Sequence, residues 1–492
     1  MTAGVLMNAI LGVLFGGVTA WSIWSTEDAD RNPAAEGLRY RGFGDAARLP
    51  MLLLLWMGLG LAAGGAAFAA RSTLAVLFGI FLHVSVYYAF LLAALPLFRR
   101  YFSARACAVL WLLPDCLYVT LQSARFAAAP QPLVILHAPG KLAYWLLGVW
   151  LAGFVGILTW KIISHLRFRR HILRDAQPVT DAKVLAVWKQ ELDAARFEKV
   201  RFRLVSSPRV TTPLSIGLAR RSTRVVLPVR DYRDDELALI LRHEIIHISR
   251  GDMTTKFCLQ FCAAVCWFNP LMWAAMRKSA DDMELSCDET VLLDADDAAR
   301  QQYAALLLRT AGDERGFTTC LSATAKALQY RLKNVVKPGK KYTGALLAAV
   351  LVVALFCSRG YVALAYDGRS GAERIFGGQD PSGSTLQYVQ DWTGGSYSGE
   401  YRCTDPDALK DYLAALEMEE ITSALFYDDT AEDAGQQISF GFDTPQGLIN
   451  VELSEHRAYI YRFWERNTRD QTYYLASGPD WAYLDTILRK TE

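Results

Sequence analysis

Two histidines and a glutamate carry the strongest chemical signal in this chain of 492 residues, in the run His243-Glu244-Ile245-Ile246-His247. On a helix, residues four apart lie on one face, so both imidazoles can reach a single tetrahedral Zn²⁺. Glu244 then points toward metal-bound water and can take its proton as general base. The preceding stretch, 234–242, is helix-like, with acidic residues at its start where the helix dipole favours them. A catalytic zinc also needs a third protein ligand and an open position. Residues 277–289 (RKSADDMELSCDE) offer acidic candidates on a second helix. Glu284 and Asp288 are one turn apart on one face, so one can ligate while the other orients a histidine from behind. Spacing alone does not choose among Glu284, Asp288 and Glu289, and a solvated charged helix would carry the same residues.

The elements around this centre read as membrane. Apolar residues make up 52% of the chain and bunch into long runs, which argues against a purely soluble enzyme. Collagen, a disulfide mini-protein and a disordered chain are excluded by composition. Six runs approach the roughly 20 residues that cross a bilayer: 5–23, 51–70, 74–98, 106–122, 144–163 and 342–363. The first reads as an anchor, since it lacks the basic n-region of a signal peptide. Arg31, Arg39, Arg41 and Arg48, then Arg99, Arg100 and Arg105, then Lys161, Arg167, Arg169, Arg170 and Arg174 mark three cytoplasmic regions. The N-terminus and everything after the last span then lie outside. A further apolar run, 257–276, is interrupted by Asn269-Pro270 and reads as helix, break, helix dipping into the membrane face; a plain seventh span is the alternative. Asp115, His83 and the stripe Cys258, Cys262, Cys266 read as packing. Residues 209–218 and 223–227 form a hairpin whose edge can receive an extended substrate by strand addition, and Ser215 and Gly217 need do nothing chemical.

The order of these features resembles the BlaR/MecR-type antirepressor family of membrane zinc metalloproteases, regulatory sensor-transducers of bacterial antibiotic resistance. The matching residues are Pro213 to Gly217, Val225 to Pro228, His243 to His247 with Asp252, Trp267 to Leu271, and Glu284 to Asp288. Carried over, the resemblance implies His243, His247 and Glu284 as zinc ligands and Glu244 as catalytic base. Asp288 and Asp252 would stand behind the ligands. It implies a mainly α, polytopic membrane protein with a gluzincin-like H-E-x-x-H domain and a small extracellular α+β domain. The division is a five-span region 1–163, a cytoplasmic protease domain 164–341, a last span 342–365, a linker 366–399 and an outer module 400–492. The resemblance further implies a bacterial cell-membrane protein that takes an outside signal and cleaves a cytoplasmic winged-helix repressor and itself. Its partners would be that protein substrate, the lipid bilayer and an extracellular ligand, with no direct nucleic acid.

The C-terminal part departs from the family. Residues 366–492 hold 10 Lys and Arg against 23 Asp and Glu, leaving 42 against 27 for 1–365. The only lysines of the outer part, Lys410 and Lys490, follow Asp407 and Ile487 by three residues, so the S-x-x-K motif of a penicillin-binding sensor is missing. Residues 405–419 and 480–490 read as helices, and 437–442, 448–453, 458–464 and 472–475 as strands of a meander. Residues 368–399, rich in Gly and Ser, read as linker. Cys403 is alone there and makes no intradomain disulfide. Two other functions fit the same motif: a constitutive Ste24/HtpX-like quality-control protease, tested by deleting 366–492, and a receptor with a structural zinc that never cuts.

Overall fold

The computed structural model describes residues 3–31, 48–119, 132–195, 202–217, 222–310, 325–337, 339, 341–394, 396–422, 435–463 and 471–491. Arg39, Arg41, the turn 218–221, Cys320 and Trp464 lie outside them. Among the described residues, three helices are long and apolar enough to cross a membrane: 8–28, one within 49–101, and 142–173. The six-span reading is corrected in three places. The expected spans 51–70 and 74–98 belong to one stretch, and α1 (Ala3–Arg31) is followed by that stretch, α2 (Leu52–Tyr101), which folds back at Gly65 (φ 71°). A Cβ on Gly60 would lie 3.4 Å from Ala69 Cα, whereas nine residues of straight helix span about 13 Å. Glycine at 65 permits a dihedral that other residues rarely take, which sets the turn there and not at 71–73.

The expected span 106–122 is a short helix, α3 (Ala104–Leu110), then a 3₁₀ segment Leu113–Val119. Pro114 withholds an N–H and interrupts the helix. Nearly every side chain from Ala106 to Tyr118 is buried, and such irregular backbone is tolerated at membrane depth when protein surrounds it. The sixth expected span is shortened. Its helix covers only Ala345–Cys357, and a strand begins at Val362.

After β1 (Val134–Ala138) comes α4 (Leu142–Leu173), whose Trp145, Leu146, Val149 and Trp160 are exposed apolar groups suited to lipid. Next follow β2 (Gln177–Pro178), α5 (Ala182–Ala194), β3 (Arg203–Ser207), β4 (Leu214–Ile216) and β5 (Arg224–Pro228). They make a four-stranded sheet in the order β2-β3-β5-β4, with β5 parallel to β3 and antiparallel to β4. The expected hairpin is therefore present, and β4 is a sheet edge.

Helix α6 (Asp234–Arg250) buries Leu237, Ile240, Leu241, Ile245 and Ile248 on one face. Gly251 (φ 73°) ends it in the left-handed conformation and starts α7 (Asp252–Val265). The break follows at 266–269. Asn269 accepts a hydrogen bond from the Leu271 N–H, and Pro270 opens α8 (Pro270–Val291), as the run 257–276 led one to expect. Helices α9 (Asp297–Thr310) and α10 (Ala325–Val336) close this part, and α11 (Ala345–Cys357) returns along α1. A Cβ on Gly16 would sit 2.9 Å from the Ala349 carbonyl oxygen, and one on Gly12 3.1 Å from Val353 Cα, so the G-x-x-x-G pair sets that close approach.

The remainder is a mixed sheet with helices. Residues 366–399 are not a linker. They contain most of β6 (Val362–Ser370), a one-turn helix Gly371–Arg374, β7 (Thr385–Asp391) and the start of β8 (Gly399–Cys403). Their glycines punctuate turns, such as Gly377 and Gly378 with positive φ, and do not make a flexible tether. The expected helix 405–419 is α12 (Pro406–Ala415), capped by Asp405, and its end is a strand, β9 (Glu417–Ile421). The meander is β10 (Ile438–Thr444), β11 (Gly447–Ser454), β12 (Arg457–Arg462) and β13 (Gln471–Tyr474). Helix α13 (Trp481–Ile487) and β14 (Leu488–Lys490) divide the last expected helix. All ten strands form one sheet in the order β1-β6-β9-β13-β12-β11-β10-β7-β8-β14. β1, from the loop before α4, pairs in parallel with β6. Beneath that pairing, buried Glu420 accepts from Tyr144 at 2.7 Å and lies 3.4 Å and 3.7 Å from Arg374 and Arg71.

Candidate metal centre

The apolar face of α6 presses His243, Glu244 and His247 into the interior, each no more than 1% exposed. The two Nε2 atoms lie 3.1 Å apart, and Oε2 of Glu284 on α8 is 3.5 Å from one and 3.6 Å from the other. Bonds of 2.0–2.1 Å at tetrahedral angles place donor atoms about 3.3 Å apart. The triangle therefore fits one zinc-sized ion. Glu284 Oε2 is buried and makes no hydrogen bond, as a donor reserved for a cation would be. Cys287 joins the group: its sulfur and a ring nitrogen of each histidine lie within 4.8 Å of one another.

The histidines are held from behind. His247 Nδ1 pairs with Asp252 Oδ2 at 2.6 Å, because the turn at Gly251 brings Asp252 beneath α6. His243 Nδ1 meets the Tyr303 hydroxyl of α9 at 2.9 Å, and that hydroxyl donates to Asp288 Oδ1 at 2.7 Å. Asp288 thus reaches His243 through a tyrosine, remaining 3.5 Å away itself. Arg331 of α10, 2% exposed, grips Asp288 with two bonds of 2.6 Å and faces Glu284 Oε2 at 3.6 Å. Lys256 of α7 donates to the other Glu284 oxygen at 3.1 Å. On the opposite side, Ser215 of the edge strand β4 donates to Glu244 Oε2 at 2.6 Å.

Burial alone would push both imidazole pKa values down, yet Cys287 and Glu284 beside them raise His243 to about 9 and His247 well above its usual range. Burial likewise opposes ionisation of Glu284, but Lys256 and the two histidines hold it well below the ordinary carboxylate range. The centre therefore favours positive charge between its donors, which protons supply when no ion does.

Of the residues singled out from sequence, His243, Glu244, His247, Glu284, Asp288 and Asp252 all converge here. Glu289 does not: it binds Lys341 and the Ala104 N–H. Arg242 turns away to Glu191, and Arg277 is exposed, so neither stands beside the donors. Tyr303, Arg331 and Lys256 carry no short-range signal, since each comes from another helix. Ser215, to which the sequence reading assigns no chemical part, donates its hydroxyl to Glu244.

Two histidines on one helix with a carboxylate from the second helix after it, a glutamate beside them and an edge strand alongside define a metallopeptidase-type centre. Residues 117–335, a little under half of the chain, match the family model described as BlaR1 peptidase M56, and this segment carries the BlaR1/MecR1-type peptidase features. It is similar to the regulatory protein BlaR1 of Bacillus licheniformis, 27% identical over 185 residues, covering 37% of this chain and 30% of that protein. It is also similar to methicillin resistance mecR1 proteins of Staphylococcus aureus and Staphylococcus epidermidis, 23% identical over 155 residues, covering 31% of this chain and 26% of theirs. The chain thus spans less than a third of the length of each of these relatives.

Proposed function

We propose that this chain is a membrane-anchored zinc endopeptidase that transduces an outside signal by cleaving a cytoplasmic, repressor-like protein and itself. The observation that carries the reading is the triangle of His243 Nε2, His247 Nε2 and Glu284 Oε2 with Glu244 beside it. A zinc ion held by His243, His247 and Glu284 would supply Lewis-acid polarisation of the scissile carbonyl and acidify the attacking water. Glu244 is placed to take a proton from the attacking water and pass it to the departing amide nitrogen. Ser215, hydrogen-bonded to one Glu244 oxygen, fixes the direction in which the other acts. A substrate laid against β4 as an added strand brings its scissile bond to the same place. Asp252 and the Tyr303–Asp288 pair keep the imidazoles aligned.

The transducing part of the proposal draws on contacts at both ends of the helical layer. At one end the β1–β6 pairing and the Glu420 cluster join the C-terminal module to α2 and α4. At the other, Arg99 of α2 grips Asp282 of α8 at 2.7 Å, with Trp111 on its second oxygen at 2.8 Å. Asp282 lies two residues before Glu284, so movement of α2 is felt at the donors. With the spans revised as above, the orientation is kept from the sequence reading, with 164–341 cytoplasmic and the acidic module outside; a winged-helix repressor is the substrate class that the family suggests. Glu244→Gln tests the activity. Expressed in a bacterial host, it should bind metal like wild type and lose every wild-type-specific new N-terminus, including any within this chain. Cleavage retained in the variant refutes the assignment of the base.

A further inference from the structure

Cys287 is fully buried on α8, and the proposed mechanism leaves it without a part. Its thiol reaches the His243 carbonyl oxygen at 3.4 Å, which fixes it against the middle turn of α6. Glu284 and Cys287 are three residues apart and so share a helix face. Both therefore confront the same two imidazoles, and the sulfur lies within 4.8 Å of a ring nitrogen of each. A zinc–sulfur bond of about 2.3 Å would put sulfur about 3.6 Å from each coordinating nitrogen.

We propose that Cys287 is a fourth metal donor, so that the resting protein holds zinc in a closed His243–His247–Glu284–Cys287 site. This rests on the metal-site reading above and adds its regulation. Four protein donors leave no position for water or substrate, which is the state of a structural zinc; three leave one open. The resting chain is then latent, and cleavage requires the thiolate to withdraw while the other three donors stay. The fold provides the lever. Asp282, Glu284 and Cys287 all ride on α8, and Asp282 is tied to Arg99 and Trp111. A small displacement of that helix draws the short Cys287 side chain out of bonding range, while the longer Glu284 side chain can follow the ion and keep its bond.

The test uses the full-length protein in detergent with Co²⁺ as the probe metal, because a cobalt–thiolate bond gives a near-ultraviolet charge-transfer band that nitrogen and oxygen donors lack. Wild type should bind one Co²⁺ per chain and show the band. Cys287→Ser should bind one Co²⁺, lose the band entirely and raise unstimulated cleavage severalfold. His243→Ala should abolish Co²⁺ binding at this site. A wild type that binds one His243-dependent Co²⁺ without the band overturns the fourth donor and leaves the three-donor site standing. A band that persists in Cys287→Ser comes from another thiol and overturns it equally. Failure of wild type to bind Co²⁺, or binding indifferent to His243→Ala, overturns the metal-site reading and this inference together.

Discussion

Replacing Tyr303 by Phe removes one oxygen and separates what holds the metal from what holds the fold. The hydroxyl connects His243 Nδ1 (2.9 Å) to Asp288 Oδ1 (2.7 Å), and the ring around it is 2% exposed. Phenylalanine fills the same space, so no cavity forms. Asp288 keeps both bonds from Arg331 and is not left as an unpaired buried charge. The fold should therefore lose only the roughly 1 kcal/mol typical of one hydrogen bond. His243 loses more, because Asp288 stands 3.5 Å from Nδ1, beyond a good hydrogen bond, and no longer directs that nitrogen's proton. Loss of such an outer partner weakens metal binding by about 10- to 100-fold, which is about 1.4–2.7 kcal/mol. Competition for zinc against a chromophoric chelator measures the affinity, and thermal unfolding of the metal-free protein measures the fold. Unchanged affinity in a folded Tyr303→Phe chain would refute the argument that Asp288 acts on His243 through Tyr303.

Three further outcomes are expected. Ser215→Ala removes one hydrogen bond to Glu244 and should lower the cleavage rate about tenfold, the effect of a lost hydrogen bond to a charged group, with metal content unchanged; a matching loss of metal would show that the serine supports the donors instead. Both imidazoles are raised, His243 to about 9, so zinc binding at neutral pH must displace a proton from the pair. Affinity should then rise with pH below about 9, by about tenfold per pH unit, and titration calorimetry in two buffers should detect that release; no release would contradict the raised values. Arg99→Met leaves Asp282 buried with only Trp111 as partner and should cost about 3 kcal/mol, seen as a lower unfolding midpoint in detergent, whereas Asp282→Asn in the same background should recover part of it.

The centre was legible where chemistry and local geometry coincide. His243 and His247 sit four residues apart, with Glu244 next to the first, on a helix whose apolar spacing buries them, and Asn269-Pro270 marks a break that the backbone obeys. Glu284 could be placed on a helix face from sequence, but its choice over Glu289 needed the family resemblance, since both are acids on one amphipathic segment. Tyr303 and Arg331 were invisible because tertiary packing alone brings α9 and α10 to Asp288. The membrane layer misled in a different way. Apolar content marks which residues avoid water, yet it does not say whether lipid or protein surrounds them, so the buried broken segment 104–119 read like a lipid-facing helix. Glycine misled twice over: at Gly65 it makes a hairpin inside an apolar run, and around Gly377 and Gly378 it makes turns between strands rather than a tether.

The parallel pairing of β1 with β6 has a consequence for how the protein is made. Its two strands are roughly 230 residues apart in sequence, and contacts between such distant segments form late. During synthesis β1 emerges long before its partner exists, with Leu133, Val134 and Leu136 exposed even in the finished fold. An unpaired, apolar edge strand is a template for wrong association. The sheet can close only when the chain through α11 has been made and β6 brought beside β1, so its completion reports that the helical part before it is in place. A truncation starting at residue 366 would cut β6 within Val362–Ser370 and strand β1, so it would mimic an assembly failure rather than a simple loss of the C-terminal module.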